Sequence, residues 1–351
     1  MNQPNPIFEG PAAWYGPDMA KTEEWIYQLT QQEVDEVDAA LANVLEQSIA
    51  AIDVNRKNFP LPTFGKVLSD IQNEVVYGRG FVLIRGIPVK RYSIEESVIV
   101  YWGMGAYLGQ AVPQNAQGHL LGHIKDLGND PHDPLTRVYT TNYRQPYHTD
   151  SCDVVALLCL NKAKSGGLST ISSSTTIYNE MMQQRPDLVE VLFEPFIIDR
   201  KGEIPKGKLP TYQMPVFHHY AGHLTTIYAR DFIEAAQQRH ADIPRLTAQQ
   251  LEALDMLDSL ARSEAIRLDM AFEPGDIQLL HNHQILHART AYEDFTEPEH
   301  RRHLLRLWLS QPDGRPLPPV FEERYGNIEL GTRRGGIIVP GTVENIPMET
   351  V

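Results

Sequence analysis

The chain has 351 residues, an apolar fraction of 42%, a formal charge of −14 and a pI near 5.4. That length suits one large elaborated domain better than two small ones, and the acidic balance argues against wholesale binding to nucleic acid or an anionic membrane, which needs a concentrated basic face. The longest apolar runs, such as residues 154–160, fall far short of the roughly 20 residues a membrane helix needs, and the first six residues have neither a basic n-region nor an apolar h-region, so a soluble, cytoplasmic protein without membrane or nucleic-acid partners is expected.

The first thirty residues carry Pro4, Pro6, Pro11 and Pro17 among scattered aromatics and read as an irregular segment anchored by Trp14, Tyr15 and Trp25. Thr30-Gln31-Gln32-Glu33 is a capping-box pattern, in which the Thr oxygen and the Glu side chain satisfy free amide donors at a helix start. Behind it Val34, Val37, Leu41, Val44, Leu45, Ile49 and Ile52 recur at helical spacing and predict one buried stripe. A second helix is predicted over 63–76, a short buried strand over 80–86, and a third helix over 93–108, opened by the capping box Ser93-Ile94-Glu95-Glu96. From Thr136 onward, short apolar or alternating runs separated by turn signals predict strands over 137–141, 153–160, 168–172, 193–198, 213–217, 224–228, 266–272, 276–281 and 303–310. Helices are inserted at 231–239 and 247–262. Many short strands without regular intervening helices point to a mainly β chain with flanking helices (α+β) and a sandwich or jelly-roll core.

The expected layout is a single domain spanning 1–351. An irregular and helical layer covers 1–79, the core covers 80–310 with a helical insert at about 229–264, and a Pro- and Gly-rich extension over 311–351 is ordered where it lies on the core. Cys152 and Cys159, at odd spacing on one extended segment, point to opposite faces and read as reduced packing residues.

The most informative stretch is His148-Thr149-Asp150. Strand side chains alternate with period two, so the imidazole and the carboxylate share one face. The motif also precedes the buried strand at 154–160, at the mouth of a sheet, where ligand sites gather. A second segment, Gly275 to Arg289, opens with Pro274-Gly275-Asp276, leads into a strand ending near His287, and would supply a third ligand if the fold closes. Two imidazoles and one carboxylate can hold a redox metal on one face and leave the opposite face open. In the last strand Arg302, Leu304, Arg306 and Trp308 share a face, where buried guanidinium groups require an anion. The bland readings are a hydrogen-bonded surface pair for His148 and Asp150, and ion pairs with acidic side chains for Arg302 and Arg306. A rival triad of His281, His283 and His287 lacks a carboxylate and leaves His-Thr-Asp without a purpose. His218-His219 reads as decoration of a loop or strand end, and Tyr147 as packing.

Taken together, His-Thr-Asp, Gly166-Gly167-Leu168-Ser169, Pro274-Gly275-Asp276, Asn282 five before His287-Ala288-Arg289, and Arg301-Arg302-His303-Leu304-Leu305-Arg306-Leu307-Trp308 resemble the taurine dioxygenase-like (TauD/TfdA) family of iron(II)- and 2-oxoglutarate-dependent oxygenases. The match covers roughly residues 80–310. The resemblance implies a double-stranded β-helix with the metal between its sheets, and iron ligands at His148, Asp150 and His287. It implies a grip on the far carboxylate of 2-oxoglutarate by Arg302, with Arg301 as the fallback, assisted by Ser169 or its neighbour Thr170. Arg306 matches an Arg that touches cosubstrate or an anionic substrate, while Tyr143 and Arg144 lie where substrate contacts occur. The implied cosubstrates are 2-oxoglutarate and O2, and the implied reaction couples decarboxylation of 2-oxoglutarate to C–H hydroxylation or a related oxidation of a small organic substrate. Asp150 stands where halogenating relatives have a small residue, so chloride has no vacant ligand position. The competing expectation is a jelly-roll metal protein without oxygenase activity, either a cupin-like isomerase or a ligand-binding module. Oligomeric state, a homo-oligomer included, stays open.

Overall fold

A computed structural model of the chain describes residues 6–348. Two β-sheets face each other, and helices cover their outer faces. The major sheet runs Ile26–Gln28, Phe81–Arg85, Ile277–His281, Val154–Asn161, His303–Ser310, with Gln110–Ala111 and Leu121–Ile124 also paired to the last of these. The minor sheet runs Leu268–Met270, Ser169–Ser173, Ile285–Arg289, Gln145–His148. Apart from the parallel pair of Ile26–Gln28 with Phe81–Arg85, all the pairings in these two sheets are antiparallel. This is the jelly-roll core that the strand spacing pointed to.

Strands covered on both faces read as continuous apolar runs, and the major sheet follows that rule. Leu305, Leu307 and Leu309 meet the helices Gln31–Glu46, Phe64–Tyr77 and Ile94–Leu108, whereas Leu304 and Trp308 face the space between the sheets. Both expected capping boxes close, Thr30 with Glu33 and Ser93 with Glu96. The apolar stripe outruns its helix, which stops at Glu46: Ile52, beyond its end, is exposed, and so is Leu45 within its last turn.

Behind the minor sheet lie Ser174–Gln184, Pro186–Leu192 and Ala248–Arg262, burying Ile177, Met181, Leu188, Leu254 and Leu257 against Leu286 and Ala288. The first two helices escaped the sequence reading because Ser174-Thr175-Thr176 is a hydroxyl-rich, partly β-branched run with weak helix preference. Capping by Ser173, whose Oγ accepts the Thr176 amide at 3.0 Å, and burial of the apolar face override that preference.

Other expectations change in the folded chain. Residues 137–141 form a 3-10 turn at Val138–Thr140 rather than a strand. The predicted strand 213–217 breaks at Pro215, which has no N–H for a ladder, leaving Thr211–Met214 paired with Phe196–Asp199 and Phe217–Tyr220 paired with His223–Thr226. The strand that begins at Ile277 ends at His281; the turn 282–284 then carries the chain across to the minor sheet, where Ile285–Arg289 is a separate strand.

The N-terminal segment is anchored by Trp14 and Trp25 against Phe81 as expected, whereas Tyr15 is exposed, and the segment adds the short strand Ile26–Gln28; its residues 1–5 lie outside the described ones. The C-terminal extension, described to residue 348, is tied down by the buried Arg334. Cys152 precedes the strand that carries Cys159, so the opposite-face argument does not apply; both are unpaired and buried between the sheets. No described helix is long and apolar enough to cross a membrane.

Candidate active site

Antiparallel register sets His148 directly opposite His287 in the minor sheet. Opposed residues project from the same side of a sheet, which brings the two rings to a centroid separation of 4.1 Å. Asp150, two residues past the strand end, places carboxylate oxygens 3.7 Å from His148 Nε2 and 3.6 Å from His287 Nε2. One donor atom from each residue lies within 4.8 Å of the other two, and this is the one such group of three found among the described residues.

The surrounding hydrogen bonds hold the triad in place. The Thr149 amide donates to the Tyr228 carbonyl at 2.7 Å, and its Oγ1 accepts from the Tyr228 amide at 2.8 Å. The Asp150 amide donates to Asn282 Oδ1 at 2.8 Å, while Asn282 Nδ2 donates to the carbonyls of Asp150 and Cys152. Asn282 sits in the turn that crosses between the sheets, so the loop bearing Asp150 is clamped to the segment leading to His287. Trp308 Nε1 donates to Asp150 Oδ2 at 2.9 Å.

His148 Nδ1 lies 2.9 Å from the Pro146 carbonyl, and donation there leaves Nε2 with its lone pair. Gln145 Nε2 is 3.0 Å from that nitrogen. Burial, and then the neighbouring His287, push His148 down to about 4. Burial alone would raise the Asp150 carboxyl, but the Arg306 guanidinium, the His287 hydrogen bond and the imidazoles together hold it well below the usual carboxylate range. A neutral imidazole and an ionised carboxylate are the forms that donate lone pairs to a cation.

Two cavities meet at this triad. The inner one reaches from His287 toward Arg302 and is lined by Tyr139, Gln145, Ser169, Arg289 and Arg306 as well. Five buried nitrogen atoms there have no partner among the described residues: Arg302 Nη1, Arg289 Nε and Nη1, Arg306 Nη2, and His287 Nδ1. Burial and then the adjacent Arg302 pull Arg289 down to about 10, and burial lowers Arg302 too. Clustered buried guanidinium groups with unmet N–H donors describe a seat for a planar anion. Ser169 Oγ, at the same cavity, donates to Gln278 Oε1 at 3.1 Å. The Gly166-Gly167 pair, at φ +72° and +69°, permits the close approach: a Cβ on Gly167 would stand 3.1 Å from Arg302 Nε, and one on Gly166 would stand 2.2 Å from the Ala291 carbonyl oxygen.

The outer cavity opens above Asp150 and is bordered by Arg137, Phe232, Trp308 and Arg324. Arg306 borders both cavities. Its Nε donates to Gln114 Oε1 at 2.7 Å, and its guanidinium stacks on Tyr139 and Trp308 at 4.7 and 4.9 Å.

The structure thus brings together His148, Asp150, His287, Ser169, Arg302 and Arg306. It does not bring in the others. Thr170, one position past Ser169, projects from the opposite face of its strand and lines neither cavity. Arg301 is exposed and donates to the carbonyls of Phe295 and Thr296. Tyr143 and Arg144 are exposed and line neither cavity, whereas Gln145 beside them lines both. His283 bonds to Asp153 and His281 to Gln284, so the rival triad does not form. His218 lies within a strand, buried, with Nε2 on the Pro215 carbonyl.

Arg289 and Trp308 went unnoticed as site residues in the sequence, although their signal was present: each stands two residues from a named site residue on the same strand face. Gln114 and Arg324 come from a loop and a short helix and carried no periodic signal, and Arg137 opens the predicted strand 137–141 that does not form.

A jelly roll that sets two imidazoles and a carboxylate beside a guanidinium-lined cavity defines the scaffold of a non-haem iron oxygenase. The chain belongs to the taurine catabolism dioxygenase TauD, TfdA family, whose model matches residues 42–308. It is a 2-oxoglutarate-dependent non-haem iron dioxygenase, with Fe(II), 2-oxoglutarate and O2 as its cofactor and cosubstrates. It is 32% identical over 326 residues to FR-33289 synthase of Streptomyces rubellomurinus, covering 90% of this chain and 94% of that one. It is 32% identical over 305 residues to the taurine hydroxylase-like protein SAT17 of Stachybotrys chartarum, covering 84% and 77%. Among solved structures it resembles asparagine oxygenase in complex with Fe(II), 3-hydroxyasparagine and succinate, with a TM-score of 0.61 and 14% identity over 82% of this chain and 94% of that one. It also resembles the non-haem iron oxygenase OrfP in complex with Fe and alpha-ketoglutaric acid, with a TM-score of 0.60 and 15% identity over 81% and 94%. At these identities the structural likeness bears on the fold alone.

Proposed function

We propose that His148, Asp150 and His287 hold the Fe(II), that Arg302 with Ser169 grips the far carboxylate of 2-oxoglutarate in the inner cavity, and that a small organic substrate enters through the outer one. The convergence of the three donor atoms at the junction of the two cavities carries this reading. The donor set fits the metal, and the unpartnered guanidinium groups fit the dianion. Bound iron with its cosubstrates supplies an oxidant able to take hydrogen from an unactivated C–H bond, coupled to decarboxylation of 2-oxoglutarate to succinate.

The chain's own residues position and exclude. Trp308 and Asn282 hold the Asp150 carboxylate and its backbone, and Pro146 orients His148. Ile124, Val155, Leu157, Phe272 and Leu304 wall the inner cavity with apolar surface, which keeps water from the reacting centre. Hydroxylation of the substrate carbon is the expected outcome. We read the chain as one oxygenase domain, with residues 1–79 and 311–351 framing the core at 80–310, and its unpaired cysteines suit a reducing cytoplasm.

The test is direct. Anaerobic protein mixed with Fe(II) and 2-oxoglutarate is expected to develop the weak visible charge-transfer band of the iron chelate, and Asp150→Ala is expected to lose both the band and turnover. A folded wild-type protein that binds the metal yet gives no band would instead be a jelly-roll metal protein without oxygenase activity.

A further inference from the structure

Arg302 borders a second space besides the inner cavity. Behind it a cleft opens to the surface, walled by Lys162, Lys164, Gly167, Phe272, Arg302 and Leu304, and the last three of these also line the inner cavity. Lys162 and Lys164 are exposed at its rim, on the loop between Val154–Asn161 and Ser169–Ser173. Lys162 Nζ bonds Glu273 at 2.8 Å, while Lys164 meets no carboxylate in ion-pair range among the described residues. The inner cavity thus has two partitions, and they differ. Toward the outer cavity stand Tyr139, Gln145 and Arg306. Arg306 is fixed there by Gln114 and two aromatic faces, and Gln145 Nε2 lies 3.0 Å from His148 Nε2. Toward the rear cleft, Arg302 stacks on the Tyr292 ring at 5.1 Å with its Nη1 unpartnered. It pairs with no described carboxylate, so swinging its guanidinium aside breaks no ion pair, and Gly167 beside it has no side chain to obstruct the motion. Charge separates the two sides as well. Three cationic side chains and no carboxylate line the rear cleft, whereas four carboxylates and four arginines line the outer cavity.

We infer that 2-oxoglutarate reaches the inner cavity, and succinate leaves it, through the rear cleft past Arg302, while the primary substrate uses the outer cavity. A cleft lined by one sign of charge focuses its field and draws in a ligand of the opposite sign. A dianion therefore gains at the rear rim, and on the outer side the opposed charges leave it no net attraction. On a chain of net charge −14, such a local basic mouth is also where a dianion meets the least repulsion. Separate ports have a consequence for turnover. Succinate leaves by the rear while the oxidised product still fills the outer cavity, so the two products depart in either order.

The inference deepens the functional reading above and rests on it, and one set of samples tests both. Anaerobic Fe(II)-loaded protein is mixed with 2-oxoglutarate in a stopped-flow instrument, and the growth of the chelate band against concentration gives the association and dissociation rate constants. Ala163→Trp crowds the rear cleft. It is expected to slow both constants by one factor, about tenfold, and to leave Kd unchanged, because an obstruction raises the barrier without altering the bound state. Lys164→Glu is expected to lower the association constant roughly three- to tenfold at low salt and much less at high salt. Pro205→Trp, which crowds the outer cavity instead, is expected to leave both constants at their wild-type values. Wild-type association in both rear variants, or equal slowing by Pro205→Trp, overturns the inference. The equilibrium band separates the two levels: its presence at the wild-type Kd in Ala163→Trp verifies an intact seat, and its absence from the wild type removes the reading on which the inference stands.

Discussion

Two neighbouring arginines have opposite surroundings, and the difference predicts opposite kinetics. Arg302 is buried with an unmet donor facing the inner cavity, whereas Arg301 is exposed and spends its guanidinium on two carbonyls. Loss of a charge-assisted bond to a buried carboxylate costs about 1.5–3 kcal/mol, roughly ten- to a hundredfold. Arg302→Ala is thus expected to raise the 2-oxoglutarate KM by that factor and Arg301→Ala to leave it unchanged, as steady-state kinetics would reveal. Wild-type dependence in Arg302→Ala would move the role to Arg289 or Arg306. Trp308 acts one step further out. Its indole N–H is the donor to Asp150 Oδ2, and a partner of a ligating carboxylate is worth about ten- to a hundredfold in metal affinity. Trp308→Phe keeps the ring in the core and removes the donor, so Fe(II) titration is expected to show weaker loading; equal affinity would mean the bond holds nothing that iron needs.

At the scale of elements, one buried carboxylate is a principal anchor of the C-terminal extension. Asp153, fully buried, accepts from Arg334 Nε at 2.9 Å, from the Gln311 amide at 2.7 Å and from His283 Nε2 at 2.9 Å. His283, a candidate metal ligand in the rival reading, serves here as an anchor. Removing one partner of a buried pair strands the other charge, at about 3–5 kcal/mol. Asp153→Asn should therefore lower the urea midpoint with little change in the slope. An unchanged midpoint would mean that Arg334 finds another partner. None of this was legible beforehand. The extension reads as Pro- and Gly-rich tail, and nothing in its local pattern says that Arg334 crosses to a residue next to the loop that bears Asp150.

Across the whole molecule, buried imidazoles tie stability to pH. Burial pulls His218 down to about 4, and burial together with the facing His123, 2.8 Å away, pulls His303 to about 3. The unfolded chain takes up protons on these side chains near pH 6.5, while the native state refuses them until about pH 4. Between those values the unfolded state binds more protons, so stability rises with pH and is lost as pH falls from about 6.5 toward 4. Thermal unfolding of the metal-free protein is expected to move to lower temperature between pH 7 and pH 5, and a midpoint that stays constant across that window would contradict the assignment.

Local pattern alone determined a good deal about this protein. Capping boxes and apolar spacing gave the three N-terminal helices, apolar runs gave the central strands of the major sheet, and period-two alternation put Arg302 with Arg306 on a shared face, whereas Asp150 lies past the end of the strand that carries His148. Motif order gave the chemistry. Only the tertiary structure decided that His287 lies on its own strand opposite His148, that Ser169 rather than Thr170 meets the inner cavity, and that Arg137 and Arg324 reach the outer one. The reason is physical. Side-chain periodicity is a property of a single segment, whereas register is a relation between distant segments, and a slip of one residue turns every side chain to the other face. Loops that carry charges into a cleft have no period to read, and their positions follow from the core that they fold against.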